Sequence, residues 1–193
     1  MKISITGHTK GIGKACYDIL SDKHEVFGFS RSNGYDINQP EKIFLESKDN
    51  NVFINNAFSS ISQSILFDMF FREWEGSHKT IINIVSKTMY LTKMRLLSVP
   101  SPGSLLYAGD KKHLEHVVDT HVFSNQFKKC RVININPGYV DTEMMPKSAK
   151  KVGYESLSPE KISEVVKWAL DQPQDIEIYD LSIWKTSVSQ IER

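Results

Sequence analysis

Apolar residues fall along the chain in short runs, and the segments between them carry apolar positions at helical spacing. Lys2 to Thr6 is a β-rich run closed by a glycine-rich turn, after which a helix is expected from about Gly13 to Ser21. Glu25 to Ser30 reads as a second strand and Tyr35 to Ile37 as a very short third one. Pro40 opens a helix to about Ser47, at a position where its missing N–H costs nothing. Asn51 to Asn55 predicts a strand, Ile61 to Glu75 a helix and Thr80 to Val85 a strand. A long helix over Leu106 to Phe127 and a strand over Arg131 to Asn136 follow. Ser158-Pro159-Glu160 opens a later helix, with Ser as cap and Pro in the first turn, and Glu177 to Ile183 is the last strand. Strands alternating with helices specify an α/β fold, a doubly wound parallel sheet with helices on both faces. The apolar strand runs suit burial on both sides. Ligands of such sheets bind where the strands end, so chemistry is expected just after each strand.

Composition narrows the partners. The 193 residues suffice for one domain with a proper core. The 24 Lys and Arg against 23 Asp and Glu give a formal charge of +1, which argues against a nucleic-acid partner. The most apolar patch, Ile65 to Phe71, is interrupted by Asp68 and too short to span a bilayer. The opening residues leave no room for a signal-peptide apolar region before Gly7. Cys16 and Cys130 lie far apart in no metal-type spacing and are expected as buried thiols. A cytoplasmic, non-membrane protein without a metal site is the expectation, with residues 1–193 as a single domain.

Between the first strand and its helix runs Thr6-Gly7-His8-Thr9-Lys10-Gly11-Ile12-Gly13. Glycines there let the backbone turn sharply and approach a pyrophosphate, which then sits on the free N–H groups of the helix N-terminus. A plain turn would read the same, so other motifs must decide. Asn55-Asn56-Ala57-Phe58 follows the strand at 51–55, and Asn83-Ile84-Val85-Ser86 ends the next. Tyr107-Ala108-Gly109-Asp110-Lys111 opens the long helix, and Asn136-Pro137-Gly138-Tyr139-Val140-Asp141-Thr142 follows its strand. In this order, from Thr6 to Thr142, the five motifs resemble those of the short-chain dehydrogenase/reductase family. Phe58 departs from the family pattern, which has glycine there.

The resemblance implies a compact Rossmann-like member of that family, with Ser86, Tyr107 and Lys111 as catalytic residues. Tyr107 and Lys111 lie four apart on a helix and therefore on one face. A phenol titrates near 10, and an adjacent ammonium favours its phenolate, so Tyr107 can take or give a proton alongside a hydride. Ser86 at a strand end can hydrogen-bond a substrate oxygen. Lys111 is further implied to bind the nicotinamide ribose. The dinucleotide site is implied to comprise Gly7, Thr9, Lys10, Gly11, Ile12 and Gly13 in the turn, and Ser30, Arg31, Asp36 and Ile37 after the second strand. Asn55, Asn56, Ala57, Tyr107, Lys111, Pro137, Gly138, Val140 and Thr142 complete it. The rival tyrosine Tyr90 is followed four residues later by Met94 and is set aside. The family often carries a further catalytic Asn in the helix after Ala57. No Asn lies between Ala57 and Asn83; either one of Ser59, Ser60, Ser62, Gln63 and Ser64 replaces it or its proton relay is absent.

Arg31, with no acid beside it, and Lys10 favour NADP(H) over NAD(H), because cations accommodate a 2′-phosphate that a carboxylate would repel. The expected reaction interconverts a small-molecule carbonyl and alcohol. A non-catalytic NADP(H)-binding sensor on the same fold is the alternative; a nucleotide-sugar enzyme fits the glycine spacing less well. The segment Lys87 to Leu106 and a loop at about 139–158 are expected to shape the substrate pocket. Met144 and Met145 supply adaptable apolar surface or pack in the core, and Lys147, Lys150 and Lys151 attract an anionic substrate or lie on a solvated loop. The resemblance allows a homodimer through the helices beginning near Ile61 and Tyr107.

Overall fold

The computed structural model describes residues 1–87, 102–124, 130–145 and 155–185. The strands are β1 Lys2–Thr6, β2 Glu25–Phe29, β3 Val52–Asn55, β4 Thr80–Ile84, β5 Arg131–Pro137 and β6 Asp180–Ile183. They form one six-stranded sheet in the order β2-β1-β3-β4-β5-β6, with every neighbouring pair parallel. The helices among the described residues are α1 Gly11–Ser21, α2 Pro40–Ser47, α3 Ser62–Glu73, α4 Pro102–Ser124 and α5 Pro159–Asp171.

Successive strand residues point to opposite faces, and the sheet is covered on both. Phe53, Ile81 and Val132 face one core with Ile43 of α2, Phe67 and Phe70 of α3, and Leu114 and Val118 of α4. Ile54, Ile82 and Ile133 face the other with Cys16 and Leu20 of α1 and Ile162 and Val166 of α5. This doubly covered α/β sheet is the arrangement the alternating pattern specifies. The α2/α3/α4 face also carries a polar row: Asn55 Nδ2 donates to Asn83 Oδ1 at 3.0 Å, and Asn83 Nδ2 to Asn134 Oδ1 at 3.0 Å. All three asparagines are buried.

Two element expectations are corrected. Tyr35 to Ile37 forms no strand. The chain leaves β2 through a 3₁₀ turn at Arg31–Asn33, Tyr35 N–H returns to the Ser30 carbonyl, and Asp36 Oδ1 accepts from Asn38 N–H at 2.9 Å. A local turn consumes the groups that a strand would pair. The long helix begins at Pro102, before Leu106; its expected end, beyond Ser124, lies outside the described residues. Tyr90, Met94, Lys147, Lys150 and Lys151 also lie outside them.

The β1–α1 turn needs its glycines for two reasons. Gly7 and Gly11 have φ of 72° and 52°, in the left-handed region that side chains disfavour. Gly13 is required by the turn itself: a Cβ there would stand 2.2 Å from the Gly7 carbonyl oxygen and 2.5 Å from Asn56 Nδ2. Gly13→Val should therefore destabilise the domain by about 2–4 kcal/mol in denaturant unfolding. A variant of wild-type stability that has lost only dinucleotide affinity would return the requirement to the ligand.

Candidate active site

Because all strands run parallel, the segments after β1, β3, β4 and β5 emerge at one edge of the sheet. That edge brings together the glycine turn, Asn55 to Phe58, Ser86, and Pro137 to Thr142. The winding direction reverses between β1 and β3, the place where open α/β sheets leave a crevice.

Tyr107, Lys111 and Ser86 meet there. Ala108, Leu114, Val118 and Val122 make the buried stripe of α4, and Lys111 occupies a place within it. Ser86, buried after β4, hydrogen-bonds the Tyr107 side chain. Lys111 Nζ donates to the Gln63 side-chain oxygen and to the Ile84 carbonyl, each at 2.7 Å. Its Nζ stands 5.7 Å from the centre of the Tyr107 ring and 5.3 Å from that of Phe58. The two rings touch edge to face, their centres 4.7 Å apart.

The electrostatics differ from the expectation that Lys111 lowers the phenol. Burial pushes the Tyr107 phenol up from its ordinary value, and the hydrogen bond with Ser86 pulls the other way. Burial pulls the Lys111 amine down to about 7. Both groups lose water, and each loss opposes its charged form. Lys111 forms no ion pair among the described residues.

The end of β3 is tied to the glycine turn. Thr6 Oγ1 accepts from the backbone N–H of Asn56 at 3.0 Å and of Ala57 at 2.9 Å, and Asn56 Nδ2 donates to the Thr6 carbonyl at 2.9 Å. Asn55 Nδ2 donates to the Gln63 carbonyl at 2.8 Å. Asn55 and Asn56 thus hold the frame. No side chain caps the N-terminus of α1, and no acid lies in its first turn. Its N–H groups are therefore suited to an anion, and the residues present fit a dinucleotide pyrophosphate. The turn meets the post-β5 segment: a Cβ on Gly11 would lie 3.0 Å from Thr142 Cγ2, and Lys10 Nζ pairs with Glu143 at 3.0 Å. Lys10 is thus engaged within the protein, whereas Arg31 is exposed on the 3₁₀ turn and forms no ion pair among the described residues. Ser30 donates its hydroxyl to Asn33 Oδ1 within its own turn, and Ile37 is buried in the core. Gly138 N–H donates to the Ile183 carbonyl at 2.7 Å, and Val140 bridges to Leu157. Met144 is exposed and Met145 buried.

The five candidates after Ala57 separate clearly. Ser60 lies in the connecting bend at φ 45°; Ser62 donates to Asn38 Oδ1, and Ser64 pairs with His113. Gln63 alone among them contacts Lys111. Glu143 is a partner that the sequence pattern does not disclose, because it lies far along the chain from Lys10. Lys87, directly after Ser86, lies 3.7 Å from Glu115 and 3.5 Å from Asp180, so this cation is neutralised by the frame.

No protein-family model matches the chain. Among curated proteins, a farnesol dehydrogenase from Aedes aegypti is 31% identical over 84 residues, which are 42% of this chain and 34% of that protein. The match thus spans about a third of that relative's length. Solved structures match along nearly the whole length. An alcohol dehydrogenase from Thermococcus sibiricus complexed with 5-hydroxy-NADP superposes with a TM-score of 0.67 at 19% identity, covering 95% of this chain and 96% of that one. The 3-alpha-hydroxysteroid dehydrogenase from Pseudomonas sp. B-0831, complexed with NADH, gives 0.71 at 16% identity over 95% of each chain. A 4-hydroxyisoleucine dehydrogenase complexed with NADH gives 0.73 at 18%, covering 97% of this chain and 98% of that one. No described helix is long and apolar enough to cross a membrane. The likeness along the whole sheet bears out at the level of fold the resemblance carried by the five motifs: this chain has the fold of the short-chain dehydrogenases/reductases.

Proposed function

We propose that the chain is an NADP(H)-dependent oxidoreductase of this family that interconverts a small-molecule carbonyl and alcohol in the cytoplasm. The observation that carries the reading is the hydrogen bond between Ser86 and Tyr107 with Lys111 one helical turn away, at the edge where the glycine turn emerges. Gly7, Thr9, Gly11, Ile12 and the α1 N-terminus hold the dinucleotide, with Arg31 toward its 2′-phosphate. When bound, the nicotinamide supplies or receives the hydride. Ser86 orients the substrate oxygen and polarises it. Tyr107, held protonated by burial, gives its proton to the oxygen that gains negative charge, and takes it back in the opposite direction. Lys111 holds the ribose and, when charged, steadies the phenolate. The free buried thiols Cys16 and Cys130 suit a reducing compartment. One observation favours the sensor reading: the Phe58 ring lies against both Tyr107 and Lys111.

Three outcomes are expected. Wild-type protein should oxidise NADPH with some member of an aldehyde and ketone panel, and Tyr107→Phe should lose about 10²–10⁴-fold in turnover while keeping NADPH affinity. Absence of turnover across the panel, or normal turnover in Tyr107→Phe, replaces the enzyme by the sensor.

Calorimetric titration should give tighter binding of NADPH than of NADH, by about tenfold or more, and Arg31→Ala should erase the difference. Glu143→Ala should tighten NADPH by no more than about fivefold, since the exposed Lys10–Glu143 pair is worth about 0–1 kcal/mol. Equal affinities of the wild type for the two cofactors would sink the preference.

Lys111 also sets a pH dependence of stability. Its folded pKa, about 7, lies below the ordinary 10.5, so the unfolded chain binds more protons between those values. Stability of the cofactor-free protein therefore rises with pH across that window, by about 1.4 kcal/mol per unit from this group. The stability of Lys111→Met relative to wild type should fall by about that amount per unit from pH 7 toward pH 9. A difference that stays constant from pH 7 to 9 would show that Lys111 titrates normally.

A further inference from the structure

Gln63 lies in the first turn of α3 and is buried. Its amide nitrogen donates to the Asn55 carbonyl at 2.6 Å and to the Ile84 carbonyl at 3.1 Å. Its amide oxygen accepts from Lys111 Nζ at 2.7 Å, and Lys111 donates also to that same Ile84 carbonyl. One side chain therefore ties the ends of β3 and β4 to α4, with every polar atom of the amide engaged.

The arrangement has a stereochemical consequence. A lysine nitrogen has three positions beyond its Cε bond. Gln63 Oε1 and the Ile84 carbonyl are acceptors only, so each requires an N–H of Lys111 in both of its protonation states. Two positions thus always hold hydrogen. The third alternates between an N–H in the ammonium and a lone pair in the amine. We infer that Gln63 is the positioning residue of the site: with the Ile84 carbonyl it clamps Lys111 Nζ and leaves a single open position for exchange with Tyr107 or a ligand hydroxyl. This deepens the oxidoreductase reading and rests on it for the role of Tyr107.

The surroundings suit such a device. Among the described residues Tyr107, on the lysine's own helix, is the titratable group beside it. The neighbouring elements present the Gln63 amide, the Ile84 carbonyl and the Phe58 ring, none of which titrates. A neutral acceptor in place of a carboxylate also leaves the ammonium without a counter-charge, consistent with an amine that titrates near neutrality.

The test is a lysine NMR titration of the cofactor-free protein, with the Lys111 signal assigned by its loss in Lys111→Met. Gln63→Glu places a carboxylate at the same reach and should raise the Lys111 midpoint by about one to three pH units. Gln63→Leu removes the acceptor and should lower the midpoint and weaken NADPH binding. If Gln63→Leu does not fold, the near-isosteric Gln63→Glu decides alone. A midpoint that Gln63→Glu leaves unmoved overturns the inference, even in a protein that binds NADPH and reduces carbonyls. Conversely, a shifted midpoint in a protein that binds neither NADPH nor NADH upholds the clamp and removes the proposed function.

Discussion

A lysine that gives up its water must find its acceptors inside the protein. Lys111 sits within the apolar stripe of α4, and both of its hydrogen bonds among the described residues go to fixed groups at the end of the sheet. The site is arranged around that requirement. Gln63 has to reach over from α3, Ile84 has to end its strand with a carbonyl pointing outward, and α4 has to lie close across β4. Ser86 and Tyr107 then fall into contact beside them. Burial of this amine costs stability wherever it is charged.

The glycine turn depends on a second constraint, the closeness of β1 and β3. Thr6 supplies an oxygen to two backbone N–H groups after β3, and Asn56 returns an amide to the Thr6 carbonyl. This exchange brings Asn56 and Ala57 so near the turn that side chains at Gly7 and Gly13 would meet them. The small residues of the motif therefore answer to each other before they answer to any ligand.

The fold was legible because the central strands β3 and β4 are short, largely apolar runs and α1 and α5 have an amphipathic period, both local properties. Tyr35 to Ile37 misled: Tyr35 and Ile37 are apolar because they pack on Phe29 and in the core, while the backbone turns. Motif spacing brought Ser86, Tyr107 and Lys111 to one place, since strand ends and a helical interval of four residues fix their positions. What spacing could not reveal was the environment. The interval of four pairs Lys111 with Tyr107 but does not disclose that its side chain is buried in the stripe of Leu114 and Val118. Lys10 reads as open to a phosphate until Glu143 arrives from the far side of the chain. Gln63 could be separated from its serine neighbours only by knowing which side of α3 meets the sheet.

The asparagine row across β3, β4 and β5 bears on how the chain finds this structure at all. Asn55, Asn83 and Asn134 lie opposite one another in the ladder. Apolar strands of Ile and Val tolerate slippage, for one branched side chain resembles the next. Amides do not: a slip of one residue would turn Asn83 to the opposite face, among Ile54 and Ile133, and strand its donor and acceptor in hydrocarbon. Each misaligned sheet thus carries a penalty of its own, and the three amides act as a proofreading mark for the central strands whose ends carry the chemistry.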